Sequence, residues 1–223
     1  MALAPFILLG AEPTCNPNLP WLAREIRKYG PVAMVTNGLK LADMGYLQDL
    51  DGFMTPGIFN VCISINPRCN DVAGDYDRRM QAVENVLSLG FTLYGLMFVI
   101  DALDQLDEVI EVCQSCKGRV MDTRIKVSTD FRGDGTADIF NSDIFRYLCG
   151  KAAREGVTFG LNRNLNNKHI YTNMIYDGIN LAAVKWYTKH NVDLNDINCP
   201  PWSLQSDGKI LDFGYSLILG GAQ

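Results

Sequence analysis

The sequence predicts an α/β fold in which helices cover a sheet of parallel strands. Two observations lead to this prediction. Short apolar runs, rich in β-branched and aromatic residues, alternate with segments of helical periodicity. The distance from one run to the next is about 30 residues, which is the size of one βα unit. These features fit either an α/β barrel or a doubly wound sheet and do not choose between the two.

The predicted strands follow the apolar runs. Continuous runs, rather than alternating ones, are expected where helices cover the sheet. In chain order, the six predicted strands are Phe6–Leu9, Val32–Thr36, Phe59–Ile65, Phe91–Ile100, Val120–Ser128 and Val157–Leu161.

The predicted helices follow apolar stripes that are bounded by start and stop signals. In the first helix Leu19, Leu22 and Ile26 share one stripe, and Gly30 ends it. Ser142 is a predicted N-cap for the last helix. In chain order, the five predicted helices are Asn18–Tyr29, Ala42–Leu50, Tyr76–Leu89, Asp104–Cys116 and Ser142–Glu155.

The alternation of apolar strand-like runs and helical segments ends after Leu161. A hairpin is predicted from Ile170 to Trp186 around Asp177-Gly178, a pair typical of tight hairpin turns. A second turn is predicted at 206–209, between extended segments. We therefore expect a main domain over residues 1–161 and a small C-terminal extension over 162–223 that packs on it.

Composition limits the function classes. The chain has 223 residues, enough for one sizeable core, with 48% apolar and 20% charged residues. Its net charge is -5 and its pI is about 5.0, whereas a surface that binds nucleic acid favours excess Lys and Arg. We expect no nucleic-acid partner.

The N-terminal apolar run resembles a signal peptide only superficially. It has no positive n-region, Pro5 interrupts it and Gly10 ends it, so we interpret it as a buried strand. No apolar run approaches the roughly 20 residues of a membrane span. The sequence therefore predicts a cytoplasmic protein without a membrane association.

The seven cysteines are predicted to be free thiols, since their number is odd, their spacing is irregular and the chain is too long to need disulfides. Cys113 and Cys116 form a Cys-x-x-Cys pair, which could indicate a metal or redox site. The pair lies in a predicted amphipathic helix without a second pair elsewhere, which favours a structural role. His169 and His190 have no metal-ligand spacing. No metal site is predicted.

In parallel α/β folds, ligands bind at the carboxyl ends of the strands. Polar or glycine-containing segments follow several predicted strands here. They are Gly10–Thr14, Thr36–Gly38, Ser64–Pro67, Asp101 and Arg124–Lys126.

Several of these segments resemble motifs of one family. Leu8–Thr14, followed by Asn16-Pro17, resembles the Gly-Gly-Glu-Pro-Thr segment of radical S-adenosylmethionine (radical SAM) enzymes, with Ala11 in place of the second glycine. Val35–Gly38, Val61–Asn66 and Met121–Lys126 resemble its later strand ends. The resemblance covers about residues 5–155. It implies a partial TIM-type (β/α) barrel of the radical SAM kind, with the 162–223 segment as an extension.

The resemblance also implies a cofactor. In this family, backbone groups and the Glu of the motif hold the amino group of S-adenosylmethionine, later polar residues reach its ribose and methionyl part, and a basic side chain meets its carboxylate. The residues that match these positions are Gly10, Ala11, Glu12, Pro13, Thr14, Asn37, Ser64, Asn66, Arg124 and Lys126.

One family motif is missing from this sequence. Family members carry Cys-x3-Cys-x2-Cys, which ligates a four-iron four-sulfur cluster that cleaves S-adenosylmethionine to a 5′-deoxyadenosyl radical for hydrogen abstraction. No segment of this chain has that spacing. We therefore expect no cluster and no catalytic residues in this chain, and interpret it as a truncated or inactive form. A less favoured hypothesis is that Cys15, Cys62 or Cys69 forms an unusual cluster site together with a partner protein.

Other interpretations remain open at this stage. Glu12 could cap the following helix, Asn37-Gly38 could be only a turn, and Arg124 could be an ion-pair partner. The chain could be a non-catalytic binding or scaffold protein that self-associates through an exposed strand edge. It could also be an aldolase-like lyase in which Lys126 forms a Schiff base.

The tail adds one observation. Cys199–Trp202 followed by Ser206–Lys209 is similar to C-terminal extensions of radical SAM proteins that modify peptides or cofactors. Such extensions often carry cysteines for auxiliary clusters, but only Cys199 stands here, so none is predicted. The substrate, a small molecule or a peptide, is not indicated by the sequence.

Overall fold

The protein has an α/β fold with an eight-stranded, mostly parallel sheet. A computed structural model describes residues 6–8, 12–51, 59–89, 93–127, 136–161, 171–184, 202–204 and 210–212. The strands are β1 Phe6–Leu8, β2 Val32–Thr36, β3 Phe59–Ile65, β4 Leu93–Ile100, β5 Val120–Val127, β6 Phe159–Leu161, β7 Tyr171–Tyr176, β8 Ile179–Val184, β9 Trp202–Leu204 and β10 Ile210–Asp212. The helices are α1 Leu19–Arg27, α2 Met44–Asp51, α3 Asp75–Ser88, α4 Gln105–Ser115 and α5 Thr136–Glu155, with short 3₁₀ turns at Pro13–Cys15 and Arg68–Asn70.

The strand order of the main sheet is β1-β2-β3-β4-β5-β8-β7-β6. Strands β1 to β5 pair in parallel, and β8 is parallel to β5. Strand β7 is antiparallel to both β8 and β6. Among the described residues no pairing joins β1 to β6, so the sheet is open.

The connections place the first four helices on one face of the sheet. Each step from β1 to β5 moves to the next strand in the same direction, and such βαβ crossovers are right-handed. A doubly wound sheet would reverse direction partway and put helices on both faces. The observed winding is compatible with a segment of a barrel.

The hydrophobic core lies between the sheet and these helices. Met34, Ile63, Leu96 and Ile125 are fully buried and pack with apolar side chains of α1 to α5. Cys62, Met97 and Ala182 are also buried but lie outside this core cluster. Alternating side chains point to opposite faces of a strand, so these three belong to the other face. We call that side the second face.

Most predicted elements are confirmed, with shifts at their ends. Strands β2 and β3 have the predicted bounds, and β1, β4, β5 and β6 match shorter parts of their predicted runs. The prediction that β1 is buried is wrong, because it lies at the end of the sheet and its Phe6 and Ile7 side chains are exposed. Leu9, Phe91 and Ser128 lie outside the described residues. The prediction that the last helix starts after Ser142 is wrong, because α5 begins at Thr136.

The C-terminal hairpin is confirmed and joins the main sheet. Strands β7 and β8 are linked by Asp177 and Gly178, both with positive φ, and β8 pairs directly with β5. The hairpin therefore stands between β5 and β6. Strands β9 and β10 form a separate antiparallel pair, and the predicted turn residues 206–209 lie outside the described residues. The division of the chain at residue 161 stays a prediction.

None of the described helices combines the length and the apolar character that a membrane span requires.

Candidate functional site

The carboxyl ends of β1 to β4 are joined by hydrogen bonds between side chains and the backbone of neighbouring strand ends. Parallel strands bring these ends to one edge of the sheet. We call the bonded groups along this edge the rim network. It contains Glu12, Thr14, Thr36, Asn37, Asn70, Asp71, Arg79, Asp101 and Gln105.

Glu12 anchors the first part of the rim network. Its Oε1 accepts hydrogen bonds from the Thr14 amide at 3.0 Å, the Thr14 hydroxyl at 2.6 Å and the Thr36 hydroxyl at 2.6 Å. Its Oε2 accepts the Asn37 amide at 2.8 Å. Burial raises the pKa of Glu12, but these hydrogen bonds outweigh it and hold the pKa below its usual value. The carboxylate therefore stays ionised at neutral pH.

The lone pairs of Glu12 are unequally used. A carboxylate offers about four lone-pair positions over its two oxygens. Among the described residues three donors meet Oε1 and one meets Oε2. Oε2 can therefore accept a further donor, such as an ammonium group. Glu12 also caps the short 3₁₀ turn that starts at Pro13, which confirms the capping interpretation.

The loop after β1 is held against α2. The carbonyl of buried Thr14 accepts hydrogen bonds from Lys40 Nζ and the Tyr46 hydroxyl, both at 3.1 Å. The pKa of Tyr46 is raised by burial, then by the charges of Glu12 and Cys15. The phenol therefore remains a donor over the whole neutral range, and it holds the Thr14 carbonyl in place.

Arg79 of α3 links the ends of β2 and β3. Its Nε donates to Asp71 Oδ2 at 2.8 Å, and one terminal nitrogen donates to the carbonyls of Asn37 and Ser64, each at 2.9 Å. The side chains of Arg79 and Asp71 are only 9% and 2% exposed. A buried guanidinium in this position fixes the relative position of two strand ends.

The rim network continues to the end of β4. Asp101 accepts hydrogen bonds from Asn70 Nδ2 at 3.0 Å and from Gln105 Nε2 at 2.6 Å. These two bonds hold the pKa of Asp101 below its usual value. Gln105 also accepts the Asp101 amide at 3.0 Å and donates to Cys69 Sγ at 3.4 Å.

The remaining predicted site residues lie on or near the second face. Ser64 pairs across the sheet with Met97, and Met97 pairs with Arg124. Lys126 pairs with Val99, one step nearer the carboxyl end. Ser64, Asn66, Arg124 and Lys126 are each partly buried. Burial lowers the pKa of Lys126, the Cys62 charge opposes this shift, and Arg124 adds to it.

The structure thus brings together part of the predicted set. Glu12, Thr14 and Asn37 are in direct contact, and Pro13 begins the 3₁₀ turn between them. Gly10 and Ala11 lie outside the described residues.

The sequence placed Thr36 in a polar strand end, whereas its pattern did not predict that Asp71, Arg79 and Gln105 take part. One signal was available: Arg79 lies on the apolar stripe of α3 with Tyr76, Val83 and Val86. An arginine on a buried stripe requires a buried partner.

The Cys-x-x-Cys pair has the environment of structural thiols. Cys113 is buried in α4, its Sγ lies 3.3 Å from the Thr123 hydroxyl, and burial raises its pKa to about 12. Burial also raises the pKa of Cys116. Thiols with raised pKa values are poor nucleophiles and poor metal ligands.

A separate cleft of about 580 Å³ lies between α3 and α4. Arg68 lies 4.2 Å above the ring of Tyr76, whose pKa is raised to about 12, first by burial and then by its hydrogen bond to Glu108. Asp104 and Glu111 also line it. The cleft contains none of the predicted site residues.

Comparison with protein-family models and with curated proteins gives no match for this chain.

Proposed function

We propose that this chain binds S-adenosylmethionine at the carboxyl ends of β1 to β5, as the barrel part of a radical SAM protein. The sequence resemblance suggests the ligand, and the mostly parallel sheet supports it by bringing the carboxyl ends of β1 to β5, where α/β folds bind their ligands, to one edge. The proposal concerns ligand binding by the described residues.

The observation that carries the proposal is the ionised Glu12 at the sheet edge. Its Oε2 has capacity for one more donor, and an ammonium group makes a charge-assisted hydrogen bond with a carboxylate. The amino group of S-adenosylmethionine is such a donor. Thr14, Thr36 and Asn37 keep the carboxylate in place before the ligand arrives, which lowers the ordering cost of binding.

The second face offers partners for the rest of the ligand. Ser64 and Asn66 lie at the end of β3, beside β4 and within two strands of Arg124. A guanidinium has a planar fork that matches a carboxylate. The ammonium group and the carboxylate of S-adenosylmethionine are bonded to the same carbon atom, so this end of the ligand would lie between Glu12 and the basic side chains of Arg124 and Lys126, with its ribose near Ser64 and Asn66.

The described residues do not fit an iron–sulfur cluster. They contain no group of three or more His, Cys, Asp or Glu side chains that could hold a metal ion. In the resembled family the cluster supplies the electron that cleaves S-adenosylmethionine. We assign no such step to the described residues, and the proposal is limited to holding and orienting the ligand.

Isothermal titration calorimetry with Glu12→Gln tests this function. Losing a charged hydrogen bond costs about 1.5–3 kcal/mol, so the affinity for S-adenosylmethionine should fall about 10- to 150-fold. Binding of 5′-methylthioadenosine, which lacks the amino-acid part, should change little. Glu25→Gln is the matched control, because Glu25 is a surface carboxylate of α1 paired with Lys28.

Two results would contradict the proposal. The first is that the unaltered chain does not bind S-adenosylmethionine. The second is that Glu12→Gln weakens the binding of both ligands equally while its thermal unfolding is unchanged.

A scaffold role in self-association is the second candidate, favoured by one observation. Strand β1 lies at the end of the sheet order, and its Phe6 and Ile7 side chains are 45% and 55% exposed. Unpaired strand edges recruit other strands. The molar mass of the chain in solution tests this role.

A further inference from the structure

Most of the exposed large apolar side chains belong to the first βα unit, which consists of β1 and α1. Six such side chains are exposed among the described residues, and four of them lie in or just after these two elements: Phe6, Ile7, Trp21 and Tyr29. Trp21 is 61% exposed and Tyr29 is 71% exposed. Exposed apolar side chains that gather in one part of a surface mark an interaction site.

The exposed aromatic side chains of this unit lie on the side of α1 that points away from α2. Leu19 and Ala23 are buried and mark the side of the helix that faces the core. Trp21 and Tyr29 are eight residues apart, which places them within about 80° of each other around the helix axis and away from the buried side. Because the crossover from β1 through α1 to β2 is right-handed, their side of α1 faces outward and towards the outer edge of β1.

The backbone of β1 offers a donor and an acceptor at the same edge. The Phe6 amide donates to the Pro31 carbonyl at 2.8 Å, so the backbone groups of Phe6 point towards β2. These groups alternate from one side of a strand to the other, and the N–H and C=O of Ile7 therefore point away from β2. Phe6 lies opposite the core residue Val32, which places its side chain on the helix face and that of Ile7 on the second face.

We propose that two copies of this chain join through their first βα units, with β1 antiparallel to β1 of the partner and α1 packed against the partner's α1. A two-fold axis passes beside Ile7, which exchanges both of its backbone hydrogen bonds with the partner's Ile7. The two eight-stranded sheets then form one continuous sheet. This inference deepens the second candidate function and rests on it, whereas it is separate from the binding of S-adenosylmethionine.

This arrangement covers the exposed side chains of both layers. Strands pair about 4.8 Å apart and α1 lies over β1 and β2, so the two α1 helices come within roughly 10–15 Å of each other. Side chains as large as Trp21 and Tyr29 fill a gap of that size. On the strands, Phe6 lies opposite the partner's Leu8 on the helix face, and Ile7 lies beside the partner's Ile7 on the second face. A single strand of another protein would cover β1 but not the aromatic side chains of α1.

Disulfide trapping tests the register of the two strands. Ile7 lies opposite itself with about 5.5 Å between the Cα atoms, a distance that a disulfide spans. Ile7→Cys should therefore give a covalent dimer under mild oxidation, seen on a gel without reductant. Two matched controls should not exceed the unaltered chain, which carries exposed thiols of its own. They are Phe6→Cys, whose two copies lie about 8 Å apart in this register, and Leu161→Cys at the opposite edge of the sheet.

Sedimentation equilibrium tests the helix layer. Trp21→Ala should raise the dissociation constant of the dimer at least about 10-fold, because it removes a large apolar side chain from the interface. The buried side of α1 is untouched by this change. Val72→Ala is the control, since Val72 is 70% exposed but lies outside the first βα unit. It should leave the dissociation constant unchanged.

The outcomes separate this inference from the functions proposed above. A monomeric chain would overturn it together with the second candidate function. Three results would overturn this inference alone: a dimer that Ile7→Cys does not cross-link, a cross-link as strong in Phe6→Cys as in Ile7→Cys, or an unchanged dissociation constant in Trp21→Ala. Calorimetry with S-adenosylmethionine measures the first proposed function independently.

Discussion

At the residue scale, Arg79 shows how a buried charge can position a site. Its guanidinium is paired with buried Asp71 and also donates to the carbonyls at the ends of β2 and β3. A buried ion pair is weak evidence for net stability, because desolvation offsets the attraction. The pair here satisfies strand-end carbonyls as well, which makes it a device for fixing the site geometry.

We expect Arg79→Met to lower the free energy of unfolding by about 3–5 kcal/mol, because it leaves Asp71 buried and unpaired. Urea denaturation followed by circular dichroism measures this. Arg78→Met is the matched control: Arg78 is exposed at the preceding position of α3, 3.8 Å from Asp75, and the substitution should cost at most about 1 kcal/mol.

A double variant separates the ion pair from simple packing. Arg79→Met combined with Asp71→Ala should be less destabilised than the sum of the two single variants, since neither charge is then left alone. Equal losses for Arg79→Met and Arg78→Met would contradict the assigned role.

The sequence indicated several residues of the rim network, but not which side chains they bond to. Glu12, Thr14 and Asn37 were recognised as strand-end residues, and they are in contact. The bonds to Thr36 and from Arg79 span 24 and 42 residues along the chain. Such contacts depend on how the elements pack in the folded chain, which local sequence patterns do not specify.

At the element scale, the regular βα repeats were the most predictable part. Strands β2 and β3 match their apolar runs end to end, because helices cover one face and the second face is itself partly apolar. The start of α5 was missed, since a capping preference such as that of Ser142 contributes only about 1 kcal/mol and tertiary structure overrides it.

The position of β6 could not be predicted from local pattern. In a (β/α) barrel each strand pairs with the one before it in the chain, but here the β7–β8 hairpin pairs with β5, and β6 pairs with β7. The hairpin comes later in the chain than β6, and no periodicity in either segment specifies which of them pairs with β5. The turn residues Asp177 and Gly178 predicted the hairpin, but they do not indicate that the hairpin pairs with β5.

The connection from β2 to α2 depends on Gly38. Its φ is +79°, and an added Cβ would lie 2.9 Å from Ile63 Cγ2 of β3. Gly38→Ala should therefore lower stability by about 2–4 kcal/mol, from left-handed strain and overpacking together. Thermal and urea unfolding measure the loss.

Gly156→Ala is the control for backbone strain alone. Gly156 follows α5 with a φ of +68°, and an added Cβ would meet no atom within 4 Å. Gly156→Ala should lower the free energy of unfolding by about 1–2 kcal/mol. Equal effects of the two substitutions would show that the close approach of Gly38 to β3 does not matter.

At the scale of the whole molecule, the two faces of the sheet carry different kinds of side chains. The face under the helices holds the core cluster, and the second face holds Ser64, Arg124 and Lys126. If the second face binds a ligand as proposed, its side chains can vary without altering the packing of the core cluster. The same open winding leaves two end strands, β1 and β6.

The end at β1 is the better candidate for self-association. Two consecutive side chains, Phe6 and Ile7, are exposed there on opposite faces, whereas in β6 only Leu161 is exposed, at 58%. If a second copy pairs along β1, Ile7→Lys should convert dimers to monomers, because a lysine at an edge strand opposes edge pairing. Sedimentation equilibrium measures the molar mass. Leu161→Lys, the same change at the opposite edge, should leave the dimer intact. If the unsubstituted chain is monomeric, the β1 edge does not mediate association. The same conclusion follows if Leu161→Lys dissociates the dimer and Ile7→Lys does not.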